Sequence, residues 1–194
     1  MKRSIGPQTL VYPLPAFLVG TYDAEGKPNI MTAAWGGVCC SEPPLLSVSI
    51  RGQRWTHDAI FGRRAFTVSV PSAAMAAQTD FAGIASGGKT DKFRELSLTP
   101  AKAEFVDAPY VAECPAVVEL ALHSSIDLGS HTMFIGEIKD VKINEDCLDE
   151  KGRPLREKID PLCYDGGTRE YFRTGAGVGK AFAGGKIFWK KMDE

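Results

Sequence analysis

Leu45-Leu46-Ser47-Val48-Ser49-Ile50-Arg51 is the stretch whose pattern decides the class of fold. Leu46, Val48 and Ile50 alternate with Leu45, Ser47, Ser49 and Arg51, a period of two. Successive strand side chains point to opposite faces, so this pattern predicts a half-buried β-strand. Phe66, Val68 and Val70 alternate with Thr67 and Ser69 in the same way. Between the two, Trp55–Phe61 reads as a short helix with Thr56 as N-cap. Upstream, Ala16–Tyr22 is apolar and runs into Asp23-Ala24-Glu25-Gly26-Lys27-Pro28, a turn signal. Asn29–Gly36 is then its hairpin partner. Downstream, Ser72 is positioned to cap a helix over Ala73–Ala85, and Val117–His123 and Thr132–Ile143 read as strands. Ile187–Trp189 reads as a late strand beyond the glycine-rich Gly175–Gly185. The expected fold is mainly β with short inserted helices, a barrel or sandwich rather than a doubly wound sheet.

Composition narrows the function. The 194 residues suit a single domain with a sizeable core. Hydrophobic residues make up 44% and charged residues 24%, the balance of a soluble globular chain. A net charge of -1 implies no general attraction to nucleic acid or anionic membrane. Gly (20) and Pro (12) supply many turns, as a β-rich fold requires. No apolar run reaches the length of a membrane span. Met1–Gln8 carries charges with no apolar run behind it, so a cytoplasmic location is expected. Cys39, Cys40, Cys114, Cys147 and Cys163 are odd in number and contain no C-x-x-C, which reads as reduced thiols.

Four segments could carry chemistry. Gly83-Ile84-Ala85-Ser86-Gly87-Gly88-Lys89-Thr90 matches G-x-x-x-x-G-K-T letter for letter. A nucleoside-triphosphate loop needs a buried strand before it and a full helix after it. Met75–Ala82 is made of helix formers, and Asp91–Leu96 is too short before Pro100. The segment therefore stays open to two readings, a loop for some other phosphate or a solvated surface loop. Pro28–Trp35 sets small residues between an amide, a hydroxyl and an indole, where an aromatic cofactor or an ordinary core could lie. Ser49–His57 offers two Arg and two hydroxyls where a strand meets a helix N-terminus, an anion site or a solvated turn. His131 stands at a strand entrance in Gly129–Glu137. His57, His123 and His131 are not spaced as metal ligands, and no metal site is expected.

In order along the chain, the motifs are Pro28–Trp35, Glu42–Arg51, Arg54–Ile60, Ser86–Phe93 and His131–Ile138. Together they resemble the flavin reductase-like family, with its FMN-binding split barrel, and most of all its flavoredoxin branch. The likeness runs from Pro13 to about Val141. It implies a split barrel with Greek-key connections, one domain over residues 1–194, FMN as cofactor and a homodimer. It places Asn29, Met31, Thr32, Ala33 and Trp35 along the flavin ring and ribityl chain. Ser49, Arg51 and Thr56 approach the phosphate; Ser86, Lys89 and Lys92 close over it, with Phe93 behind. His131 matches the family's G-D-H histidine beside the reactive face, though Ser130 replaces the aspartate. The implied activity is electron transfer with a redox partner protein. An NAD(P)H-dependent flavin or ferric reductase is the alternative, and a P-loop phosphotransferase the remote one. His131 is expected to tune the flavin rather than to seat NAD(P)H.

Overall fold

Asp23 builds the first hairpin. Its Oδ1 accepts the backbone N–H of Glu25 at 3.0 Å and of Lys27 at 2.8 Å, and Gly26 takes the positive φ of +83° that the turn needs. The computed structural model describes residues 1–191, with side chains described through Phe188. The strands are β1 (Leu14–Pro15), β2 (Phe17–Tyr22), β3 (Pro28–Ala33), β4 (Gly36–Ser41), β5 (Pro44–Ile50) and β6 (Ala65–Val70). They continue with β7 (Pro100–Lys102), β8 (Pro109–Val111), β9 (Ala116–Asp127), β10 (Thr132–Ile143), β11 (Leu162–Asp165) and β12 (Glu170–Arg173). The helices are α1 (Trp55–Arg63), α2 (Ala76–Ile84), α3 (Lys92–Glu95) and α4 (Arg156–Ile159).

Seven strands form one antiparallel sheet in the order β3-β2-β6-β9-β10-β5-β4. The sheet curls until β3 faces β5 across a seam that has no β-ladder. The backbone N–H of Ser49 donates to the carbonyl of Trp35 at 2.8 Å, bridging the strand ends. Val19, Met31, Val48, Ile50, Phe66 and Phe134 fill the interior. Gly136 permits this filling: a Cβ there would stand 2.8 Å from the Phe66 ring and 2.9 Å from Leu120. A second cluster, with Leu18, Ile30, Met75, Ala82, Phe93 and Val111, lies on the outer face. Neighbours Leu18 and Val19, like Ile30 and Met31, thus serve opposite faces, both buried. Each such side chain contributes about 1.5–3 kcal/mol of transfer free energy.

The expected strands form, with instructive differences. The Asn29–Gly36 strand ends at Ala33, and Gly36 opens β4, opposite Val48. Thr56 is not an N-cap. Arg54 holds that position without a side-chain cap bond, and Thr56 is fully buried inside α1. Thr67 and Ser69 are buried as deeply as their apolar neighbours, because β8 covers their face. Thr67 Oγ1 donates to the Pro109 carbonyl at 2.6 Å, and Ser69 Oγ accepts the Val111 N–H at 3.2 Å. Ser72 precedes a 3₁₀ turn at Ala73–Met75 without capping it, and the α-helix begins only at Ala76. Ile187–Trp189 lies in a 3₁₀ segment, Gly184–Lys191, and not in a strand. Ile187 and Phe188 are exposed there, and among the described residues no strand is paired to the segment.

Candidate functional site

The turn from β5 into α1 places two guanidinium groups side by side. Arg51 leaves β5, and the Arg54 N–H bonds back to the Arg51 carbonyl at 3.0 Å, one residue before α1. Both line a cavity of about 480 Å³ at the helix N-terminus, where free backbone N–H groups favour an anion. Asn29 and Thr56 form another wall, joined by an Asn29 Nδ2 to Thr56 Oγ1 bond of 3.1 Å. Ser86 and Gly87 come from the loop after α2. A Cβ on Gly87 would stand 2.5–2.9 Å from the Asn29 amide, so only glycine lets this loop approach β3. Gly88 lies against the Trp55 ring.

Lys92 supplies the third cation. It is 3% exposed, and its Nζ donates to the carbonyls of Ile30 at 2.8 Å and Ala82 at 2.7 Å. An ammonium has three donors, so one remains for the cavity. Burial, and secondarily Arg54, lowers its pKa from 10.5 to about 8. Among the described residues, Arg51, Arg54 and Lys92 form no ion pair with a carboxylate. A cavity of similar volume on the far side of Trp55 differs in this respect. Its cation, Arg63, is already held by Asp107 at 3.1 Å and by the Asp23 carbonyl.

Met31, Arg51 and Arg54 also wall a second cavity of about 310 Å³, so the two spaces adjoin along the β3–β5 seam. Ala33 and Ala34 keep this end open, and Trp35, His131 and Tyr164 give it an aromatic rim. Trp35 and His131 lie 4.6 Å apart between ring centroids, tilted by 39°. His131 Nδ1 is 2.9 Å from Ser130 Oγ. Burial, then the nearby Arg51, holds the imidazole below its usual 6.5. Thr32 lines the same end and donates its hydroxyl to the Thr79 carbonyl.

Most of the expected residues therefore meet. Asn29, Arg51, Thr56, Ser86 and Lys92 surround the cationic end; Met31 joins both ends; Thr32, Ala33, Trp35 and His131 line the aromatic one. Two placements differ. Ser49 lines the aromatic end rather than the cationic one, because it stands two residues before Arg51 on β5. Lys89 is exposed and lines neither cavity. Phe93 packs behind the cavity, buried in the outer core, as expected. Arg54, one of the two arginines of the Ser49–His57 anion-site reading, joins the cationic end although the family resemblance does not place it at the phosphate. Tyr164 arrives from β11, far along the chain, with no local signal.

The model of the flavin reductase like domain matches residues 9–173. The chain belongs to the flavin reductase-like family. Flavoredoxin of Desulfovibrio vulgaris (Miyazaki F) is 51% identical to this family member, with a TM-score of 0.92 over 95% of this chain and 100% of its own. Flavoredoxin from Methanosarcina acetivorans is 29% identical, with a TM-score of 0.90 over 97% and 99% of the two chains. An FMN-binding protein from Thermus thermophilus is 27% identical, with a TM-score of 0.77 over 93% and 98%. Against these flavin reductase-like structures, the seven-stranded sheet and its seam are the split barrel that the sequence motifs imply.

Proposed function

We propose that this protein holds FMN in the two adjoining cavities and passes electrons between partners, as a flavoredoxin-type carrier. The observation that carries this reading is the set of three cations without carboxylate partners, Arg51, Arg54 and Lys92, continuous with an aromatic-rimmed space. The donor set fits the group. A phosphate dianion suits the cationic end, and a flat ring suits the gap that Ala33 and Ala34 leave beside Trp35. FMN, when bound, supplies the one- and two-electron chemistry of its ring.

The chain's residues do the rest. Arg51, Arg54 and Lys92 bind the phosphate, while Asn29 and Thr56 hold each other in the wall beside it. Trp35 and Tyr164 shield the ring end from water. His131, with Nδ1 turned to Ser130, keeps a neutral imidazole at pH 7 and presents a polar group without a fixed charge. Two further features support a homodimer in the cytoplasm. Val38 on the edge strand β4 is 74% exposed, apolar surface that a second subunit would cover, and all five cysteines are free thiols.

Protein purified and heat-denatured should release FMN, identified by chromatography against FAD and riboflavin. The apoprotein should bind FMN more tightly than riboflavin, and the holoprotein should sediment as a dimer. Colourless protein that gains no flavin spectrum on adding FMN would overturn the proposal. Rapid NADH oxidation in anaerobic stopped flow would move it from carrier to reductase.

A further inference from the structure

A third cavity, of about 410 Å³, adjoins the aromatic end through Trp35 and Ser49, which line both spaces. Its chemistry is unlike theirs. Val11, Leu14 and the Trp35 ring make an apolar wall, and the cavity's lining contains no charged side chain. Polar character comes only from hydroxyls. Ser47 Oγ already donates to the Gly37 carbonyl at 3.4 Å, whereas the Ser49 hydroxyl makes no hydrogen bond among the described residues. Ser49 thus offers a donor at the junction with the ring end.

We propose that this cavity binds a small, planar, uncharged electron acceptor of the quinone class, carbonyl toward Ser49 and ring against Trp35. The assignment rests on the reading of the adjoining space as a flavin site. An apolar wall with few placed polar groups is the usual make-up of a small-molecule pocket. A dinucleotide reductant fits poorly, since its phosphates would meet no cation here: Arg51 and Arg54 face the cofactor cavities. Reducing a quinone to its hydroquinone takes two electrons and two protons, and a two-electron-reduced flavin carries both.

Menadione is the probe, and equilibrium dialysis of the oxidised holoprotein is the first measurement. One saturable site per chain is expected. Val11 is 67% exposed, so Val11→Asp changes the lining without disturbing the core. Ser47→Leu fills the space from the other side. Each should weaken menadione binding at least about tenfold and leave FMN affinity unchanged. In anaerobic stopped flow, reoxidation of the dithionite-reduced protein by menadione should saturate in the wild type and lose saturation in both variants. Dialysis of the apoprotein, with and without Val11→Asp, reads this cavity independently of whether FMN binds. No saturable menadione binding, wild-type affinity in both variants, or competition by NADH at the same site would overturn the assignment. Failure to bind FMN would instead overturn the cofactor reading.

Discussion

Asn29 and Thr56, 27 residues apart, are joined by a single hydrogen bond of 3.1 Å that ties β3 to α1 in the wall of the cationic cavity. Both are buried, at 6% and 0% exposure. Thr56→Val keeps the shape and removes the acceptor, leaving the Asn29 amide unpaired. Stability should fall by about 1–2 kcal/mol. FMN affinity should fall with it, since the amide also meets the loop at Gly87. Urea melts and FMN titrations of the variant check both.

The two guanidiniums should carry the recognition of phosphate. Arg51→Ala and Arg54→Ala should each weaken FMN about ten- to hundredfold, the loss of one charge-assisted contact. Riboflavin, which lacks the phosphate, should bind nearly as before. Lys89→Ala should change neither affinity, because that side chain lies outside the cavity. Flavin fluorescence titrations would register these differences, and an equal loss for riboflavin would move the phosphate elsewhere.

Lys92 makes the protein sensitive to alkaline pH. Its folded pKa is about 8 against 10.5 in the unfolded chain. Between those values the unfolded state binds the extra proton, so the stability of the apoprotein should rise as pH climbs from about 8 to 10.5. A bound phosphate dianion favours the ammonium, so FMN binding should take up a proton and weaken as pH rises through about 8. Urea midpoints and FMN affinities across pH 7 to 10.5 test the two opposite slopes, and Lys92→Met should flatten both.

His131→Ala should move the midpoint potential of the bound flavin by tens of millivolts; about 30 mV corresponds to about 1.4 kcal/mol for a two-electron couple. The imidazole lies against Trp35 at 4.6 Å and is held neutral by burial and by Arg51. Its folded pKa is depressed, so the unfolded chain binds the proton first as pH falls below 6.5, and stability is lost there. Spectroelectrochemistry would detect the potential shift. A potential unchanged in His131→Ala would remove the residue from the flavin site.

Alternation made β5 legible from Leu46, Val48 and Ile50 alone, and the hairpin from the Asp23–Pro28 turn. The same rule failed at Thr67 and Ser69. Their burial depends on β8, which reaches that face from 42 residues further on through contacts that local pattern does not encode. Thr56 failed similarly: a hydroxyl near a helix start reads as a cap, yet here it points inward to Asn29. The P-loop lookalike was readable because its strand and helix context was wrong. Structure confirms that a helix, α2, precedes it. Lys92 and Lys89 looked equivalent in sequence, and only the fold of α3 buries one and exposes the other.

The seam between β3 and β5 bears on self-association. An unpaired strand edge is a template for the edge of another chain. At the far side of the sheet, β4 is interrupted by a bulge between Val38 and Cys40, which spoils such pairing. β3 has no bulge in its pairing with β2; its protection at Ile30 is the Lys92 ammonium on the carbonyl. Beyond Ile30, the Met31–Ala33 stretch is shielded by whatever occupies the cavity beside it. The Met31 and Ala33 side chains are buried at 5% exposure, so an emptied cavity offers another chain the backbone groups of this edge rather than apolar side chains, and the cofactor-free chain should be the form more prone to edge pairing.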